Sequence, residues 1–107
     1  MPYEVVSTAE FDAGLDLAVA HRIDVQGKRS ARRLLEEVDK ASELLSTTPR
    51  MGSLVNQRED DPRPDALRWV RADSYIIVYR PHEDDCVISL NKLFFASSNW
   101  RTRVSGE

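Results

Sequence analysis

The stretch from Lys28 to Ser46 constrains the fold of this chain more than any other. Apolar residues fall at Ala31, Leu34, Leu35, Val38, Ala41, Leu44 and Leu45, a spacing that lines one face of an α-helix. Read as a strand, the same residues would scatter over both faces. Glu36 and Lys40 stand four apart in the favoured order, a pair that adds about 0.3 kcal/mol to an exposed helix. Thr47–Thr48–Pro49 ends it, because a proline pushes the residue before it out of the α region.

A helix with one apolar face needs something to pack on. The preceding residues supply a second helix. Ser7 and Glu10 have the three-residue spacing of a capping box, and Phe11, Leu15, Ala18 and Val19 then form a stripe. This helix is expected to end near Asp24, before Gly27. Only three or four residues then link the two helices, which predicts an antiparallel hairpin.

The remaining elements are strands. Residues 2–7 read as a first strand, with β-branched Val5 and Val6. Residues 50–65, with Gly52, Pro62, Pro64 and the acidic Glu59–Asp60–Asp61, read as a loop. Three strands are expected at about 66–72, 74–80 and 86–94, turned at Asp73–Ser74 and over Pro81–Asp85, so neighbours should run antiparallel. In ADSYIIVYRP, Tyr75, Ile77 and Tyr79 share one face, and Ile76, Val78 and Arg80 the other. Both faces are largely apolar, which predicts a central strand buried on both sides. The tail ASSNWRTRVSGE is polar apart from Trp100 and Val104. The order β-α-α-β-β-β gives an α+β class: an N-terminal strand and a helical hairpin packed on a small, mainly antiparallel sheet.

Composition narrows the function classes. The 107 residues suit one domain, 1–107, with one core. Net charge is −3, without the basic excess that phosphate contacts demand, so direct nucleic-acid binding is not expected. No apolar run approaches the roughly 20 residues of a membrane span. The N-terminus lacks a signal-peptide pattern and Cys86 is the single cysteine, which together predict a cytoplasmic protein. Two histidines, one cysteine and scattered carboxylates show no metal-ligand spacing, and the isolated glycines form no phosphate loop, so neither metal nor cofactor is expected. Cys86 reads as a small buried residue at a strand start, and Arg29, Arg32 and Arg33 as the solvated face of the second helix.

Across about residues 3 to 101 the chain resembles the RelE/ParE superfamily of bacterial toxins, and the ParE branch in particular. YEVVSTAEFDAGLDLAVAHRI, with the acidic–leucine pair Asp16–Leu17, is similar to the family's first strand and helix. GKRSARRLLEEVDKASELLSTTPRMG is similar to the second helix and its ending Pro49 and Gly52. LRWVRADSYIIVYRP is similar to the family's hairpin of leucine–arginine, turn, tyrosine, apolar run and tyrosine–arginine–proline. LNKLFFASSNW lies where the family has an apolar strand leading into a polar end. The resemblance implies the toxin of a type II toxin–antitoxin pair, held inactive by a cognate antitoxin. ParE-type members poison DNA gyrase, whereas RelE-type members cut mRNA on the ribosome.

The residues separate the two branches. A ribonuclease of this fold needs cations around the scissile phosphate. The RelE branch typically has arginine after the strand's first tyrosine, where this chain has Ile76. Trp69 stands between Arg68 and Arg71 in place of a lysine-rich strand, and Phe95–Ala96–Ser97–Ser98–Asn99 replaces a basic end. An aliphatic side chain makes no charge-assisted bond to phosphate. The resemblance therefore implies a non-enzymatic gyrase inhibitor, with a ribosome-dependent ribonuclease and a homologue that only binds antitoxin as alternatives. ParE members often carry a histidine and two arginines where this chain has Phe95, Ser97 and Ser98, which bears on the target. Candidate target-binding residues are Arg68, Arg80, Lys92, Asn99, Trp100 and Arg101, the first three expected to line one concave surface. Trp69, Phe94 and Phe95 are candidate antitoxin anchors, since aromatic residues often carry such interfaces.

Overall fold

The computed structural model describes residues 2–55 and 66–104. Its elements are β1 (Glu4–Ser7), α1 (Ala9–Gln26), α2 (Lys28–Thr47), β2 (Ser53–Leu54), β3 (Arg68–Ala72), β4 (Tyr75–His82), β5 (Val87–Phe95) and α3 (Trp100–Val104). The strands form one sheet in the order β1-β5-β4-β3-β2. All neighbours are antiparallel except β1 and β5, which run parallel. This is the α+β arrangement expected from the element order.

The helices form as the apolar spacing requires, with local differences. Thr8, not Ser7, caps α1: its hydroxyl accepts from the Phe11 N–H at 3.2 Å and donates to the Asn91 carbonyl at 2.9 Å. Ser7 is the last residue of β1, so it is not available as a cap. α1 runs past Asp24 to Gln26, and Gly27 alone joins it to α2. Gly27 sits at φ +92°, a conformation side chains rarely adopt, and its N–H reaches the carbonyls of Arg22 and Ile23. On α2, Lys40 meets Glu37 at 3.8 Å rather than Glu36.

Each face of the sheet carries its own apolar cluster. On one, Leu34, Val38, Ala41 and Leu45 of α2 and Phe11 and Ala18 of α1 pack on Val70, Ile77, Tyr79, Ile88 and Leu90. On the other, Trp100 and Val104 of α3 pack on Val55, Ile76 and Val78, flanked by Trp69 and Phe94. β4 is therefore central, and Tyr75 through Tyr79 are all buried. Each such large side chain taken fully from water contributes roughly 1.5–3 kcal/mol.

Three local expectations need correction. The segment read as a loop from residue 50 contains β2, which pairs with Trp69 and Arg68; the acidic run Glu59–Asp60–Asp61 lies outside the described residues. The polar tail holds α3, because Trp100 and Val104 lie four apart and both reach the sheet. Cys86 is exposed and sits in the β4–β5 turn at φ +53°, since Pro81 and His82 extend β4 and push the turn onto Glu83–Cys86.

Candidate functional site

Among the described residues, α3 packs on the sheet face opposite the hairpin, over Ile76 and Val78. The chain leaves β5 through a tight turn in which the N–H and hydroxyl of Ser98 both bond to the Phe95 carbonyl, at 3.0 and 2.6 Å. Asn99 follows, its side-chain oxygen accepting from the Thr102 hydroxyl at 3.1 Å. Trp100 then meets Trp69 edge-on, ring centres 5.3 Å apart, and lies nearly parallel to Phe94 at 6.4 Å. The Arg101 guanidinium sits over both indoles, 5.4 Å from Trp69 and 4.9 Å from Trp100. The Trp69 indole N–H is buried with no partner among the described residues.

The predicted cations do not share one surface. Pairing of Val78 with Lys92 and of Arg80 with Ser89 puts Arg80 and Lys92 on the same face as α3. A bulge at Asn91, between the Tyr79–Leu90 and Val78–Lys92 pairs, brings Lys92 onto that face. The Lys92 ammonium lies 3.7 Å from Glu10 at the start of α1. Arg68 pairs with Tyr79 and belongs to the opposite face, with Val70 and Ala72. There its guanidinium donates to the carbonyls of Gly52, at 2.7 Å, and Arg50, at 3.3 Å. Of the remaining candidates, Asn99, Arg101 and Phe95 are exposed, Trp69 and Phe94 are half-buried, and Trp100 is buried beneath its own helix. Ile76 is buried on the α3 face, 3% exposed.

Two buried polar arrangements hold these faces in place, and neither is evident from local pattern. Tyr79 donates its hydroxyl hydrogen to the Pro49 carbonyl at 2.8 Å and accepts from the Gly52 N–H at 3.0 Å. Burial raises the Tyr79 hydroxyl above the ordinary tyrosine value of 10.0, opposed by the Gly52 N–H and by Arg68. Together Tyr79 of β4 and Arg68 of β3 fasten residues 49–52 against the sheet, which explains the use of Pro49 and Gly52. The second arrangement centres on Arg22, buried in α1. It pairs with Asp73 at 2.5 Å, donates to the Ser30 hydroxyl at 3.0 Å and lies over the Tyr75 ring at 5.5 Å. Arg22 falls eleven residues after Phe11, where the stripe of α1 returns to the sheet, and a charge at a core position is the sequence signal that marks it. Asp73 accepts φ +57° in the β3–β4 turn, a conformation aspartate tolerates better than most residues.

The described residues contain no group of three or more His, Cys, Asp or Glu side chains that could hold a metal ion. None of their helices is long and apolar enough to cross a membrane.

Residues 7–91 match the family model described as the ParE toxin of the type II toxin–antitoxin system, parDE. No curated protein matches the sequence significantly. Among solved structures, the chain is similar to one of the chromosomal ParDE toxin–antitoxin system from P. aeruginosa, with TM-score 0.66, 13% identity, and 89% of this chain and 97% of that one covered. It is also similar to a chain of a RelBE toxin–antitoxin complex from Mycobacterium tuberculosis, with TM-score 0.60, 21% identity and coverage of 89% and 99%. A chain of the archaeal RelE–RelB complex from Pyrococcus horikoshii OT3 superposes with TM-score 0.55, 23% identity and coverage of 91% and 98%. At these identities the structural likenesses establish the fold.

Proposed function

Since the chain belongs to the ParE toxin family of type II toxin–antitoxin systems, we propose that it acts by binding DNA gyrase and blocking it, with no catalytic set of its own. On this reading a cognate antitoxin holds it inactive, and solved toxin–antitoxin complexes contain chains of its fold. Ile76 carries this reading. At the position where RNA-cutting members of the superfamily place arginine, this chain has an aliphatic side chain buried on the α3 face. Nor is Arg68 aimed at a phosphate on that face, because it is engaged with the carbonyls of Arg50 and Gly52 on the other. Binding alone requires a shaped surface and no proton transfer.

On this reading Arg80 and Lys92, with Asn99 and Arg101 at the rim of α3, form the surface offered to the target. Trp100 supports that surface from beneath, and Arg68 positions the strap at 49–52. Trp69, Phe94 and Phe95 anchor the antitoxin. The toxin works in the cytoplasm, where gyrase is, and contacts protein rather than free nucleic acid. A supercoiling assay with purified gyrase tests the proposal: the folded chain slows supercoiling, and added antitoxin restores it. Unchanged supercoiling at large molar excess of folded toxin refutes it.

One observation favours a ribonuclease as the second reading. His82 Nε2 lies 3.1 Å from the Ser89 hydroxyl, on the face that also carries Arg80 and Lys92. Cleavage of mRNA on translating ribosomes, lost in Arg80→Ala and Lys92→Ala, would establish that reading in place of the first.

A further inference from the structure

Charge is unevenly placed along the helical hairpin. Arg22 of α1 bonds to Ser30 of α2 and to Asp73, so the hairpin tip and the β3–β4 turn share one end of the molecule. Tyr3 donates its N–H to the Ser46 carbonyl and Glu4 donates its own to the Cys86 carbonyl, so the last turn of α2 and the β4–β5 turn share the other end. The first end carries Lys28, Arg29, Arg32, Arg33 and Arg71, all exposed. Asp24 and Glu36 are the exposed acids that flank them. The second end carries Glu43, Glu83, Asp84 and Asp85. A chain of net charge −3 thus presents one basic end and one acidic end.

The basic residues of α2 stand where a helix disfavours them. α1 begins with Thr8 as its cap and with Glu10 and Asp12 in its first turn. α2 has no side-chain cap and no acid in its first turn, although the macrodipole there favours acids over Lys28 and Arg29. Lys28 and Arg32, and Arg29 and Arg33, are like-charge pairs four apart, which weaken a helix further. Among the described residues none of these four cations makes an ion pair, and Glu37, one turn beyond Arg33, meets Lys40 instead. Their charge braces no other element of the fold. A local rule broken without gain in the folded chain points to use outside it.

We propose that the basic end is a second contact surface, which grips the phosphate backbone of the duplex DNA that gyrase holds. Arg29, Arg32 and Arg33 occupy the outer side of α2, away from the buried Ala31, Leu34 and Val38, where the helix can lie along a row of phosphates. Cations in such a row displace counterions and read no bases, so the contact is independent of sequence. The acidic end turns the molecule so that its basic end leads toward a polyanion. Net charge −3 keeps the chain off free DNA, in keeping with its overall composition. DNA on gyrase is different: once the α3 face has engaged the enzyme, the duplex stands at high effective concentration, and a weak contact suffices. The inference rests on the gyrase reading above.

Two assays on the full chain test the contact. In the first, fluorescence anisotropy of a short labelled duplex is followed as salt is raised from a low value. The log of the affinity should fall against the log of salt with a slope of about −3.5, the value for four neutralised phosphates, and Arg29→Gln with Arg33→Gln should bring it to about −2. In the second, gyrase supercoiling, the double variant should require about tenfold more toxin for the same inhibition. Its melting temperature should not fall, because both substitutions relieve like-charge pairs. Lys40→Glu, which changes net charge by the same amount farther along α2, should match wild type in both assays. No duplex binding at low salt, or an unchanged slope in the double variant, overturns the proposal. Inhibition lost in the double variant without duplex binding by wild type assigns the basic end to an acidic protein surface and also overturns it. Equal inhibition by all three proteins overturns the proposal and leaves the gyrase reading standing, whereas no inhibition by the wild-type chain overturns both.

Discussion

Replacing Gly52 by alanine tests how tightly the strap at residues 49–52 is held. A Cβ at this position would stand 2.6 Å from the Trp69 carbonyl oxygen, 2.7 Å from the Tyr79 hydroxyl oxygen and 2.8 Å from Tyr79 Cε1. None of these atoms is the free end of a flexible side chain. The carbonyl belongs to β3, and the tyrosine is fully buried and fixed at its tip by the Pro49 carbonyl. Overpacking of this kind costs about 1–3 kcal/mol. Displacing the Tyr79 hydroxyl also breaks buried hydrogen bonds, each costing about 1–3 kcal/mol when a partner is left unsatisfied. Gly52→Ala should therefore lower the unfolding free energy by about 3 kcal/mol in urea denaturation. Tyr79→Phe removes one of the three crowded atoms, so the double variant should be less destabilised than the sum of the singles, by about 1 kcal/mol. Rescue stays partial because the Trp69 oxygen and Tyr79 Cε1 remain. A Gly52→Ala protein within about 0.5 kcal/mol of wild type would refute the packing argument.

Other outcomes follow from the same physical terms. Asp73→Asn leaves the buried Arg22 charge without its counter-ion and should cost about 3 kcal/mol; Arg22→Met with Asp73→Asn should recover much of that, measured by the same denaturation. The raised pKa of Tyr79 makes stability alkali-sensitive: the contribution is complete below the ordinary tyrosine value of 10.0, and is lost as pH rises from there through the folded pKa, because the unfolded chain ionises first. Melting temperatures followed from neutral pH upward should show that fall, and Tyr79→Phe should flatten it.

The parts of the fold legible in the sequence are those governed by near neighbours. The α2 stripe from Ala31 to Leu45 repeats for about four turns; Ala31, Leu34, Val38, Ala41 and Leu45 are buried as the period selects, whereas Leu35 and Leu44, at the margins of the stripe, are exposed. The β-branched run of β4 needed only its apolar character on both faces to be read as central, and Tyr75–Tyr79 are buried. Arg22 and Asp73 are not legible as a pair, because 51 residues separate them and Asp73 alone resembles turn chemistry. The parallel pairing of β1 with β5 joins chain segments some eighty residues apart, so no local pattern encodes it. Among the site candidates, Arg80 and Lys92 came together because strand alternation and the Asn91 bulge place them on one face. Arg68 lies on the other face, and its position in the sequence does not reveal which side of β3 it occupies; pairing with Tyr79 decides that. Trp100 stands in a polar tail, where its four-residue spacing to Val104 is too short a pattern to reveal burial against Trp69 and Phe94.

In the proposed function the toxin traps gyrase by binding and cuts nothing itself. The most direct measurement of that trapping is the amount of linear plasmid released by detergent and protease from a reaction holding gyrase, supercoiled DNA and the folded toxin. Linear DNA that rises with toxin and disappears when antitoxin is added is the predicted result. No linear DNA, together with mRNA cleaved by the same preparation on ribosomes, would contradict the account.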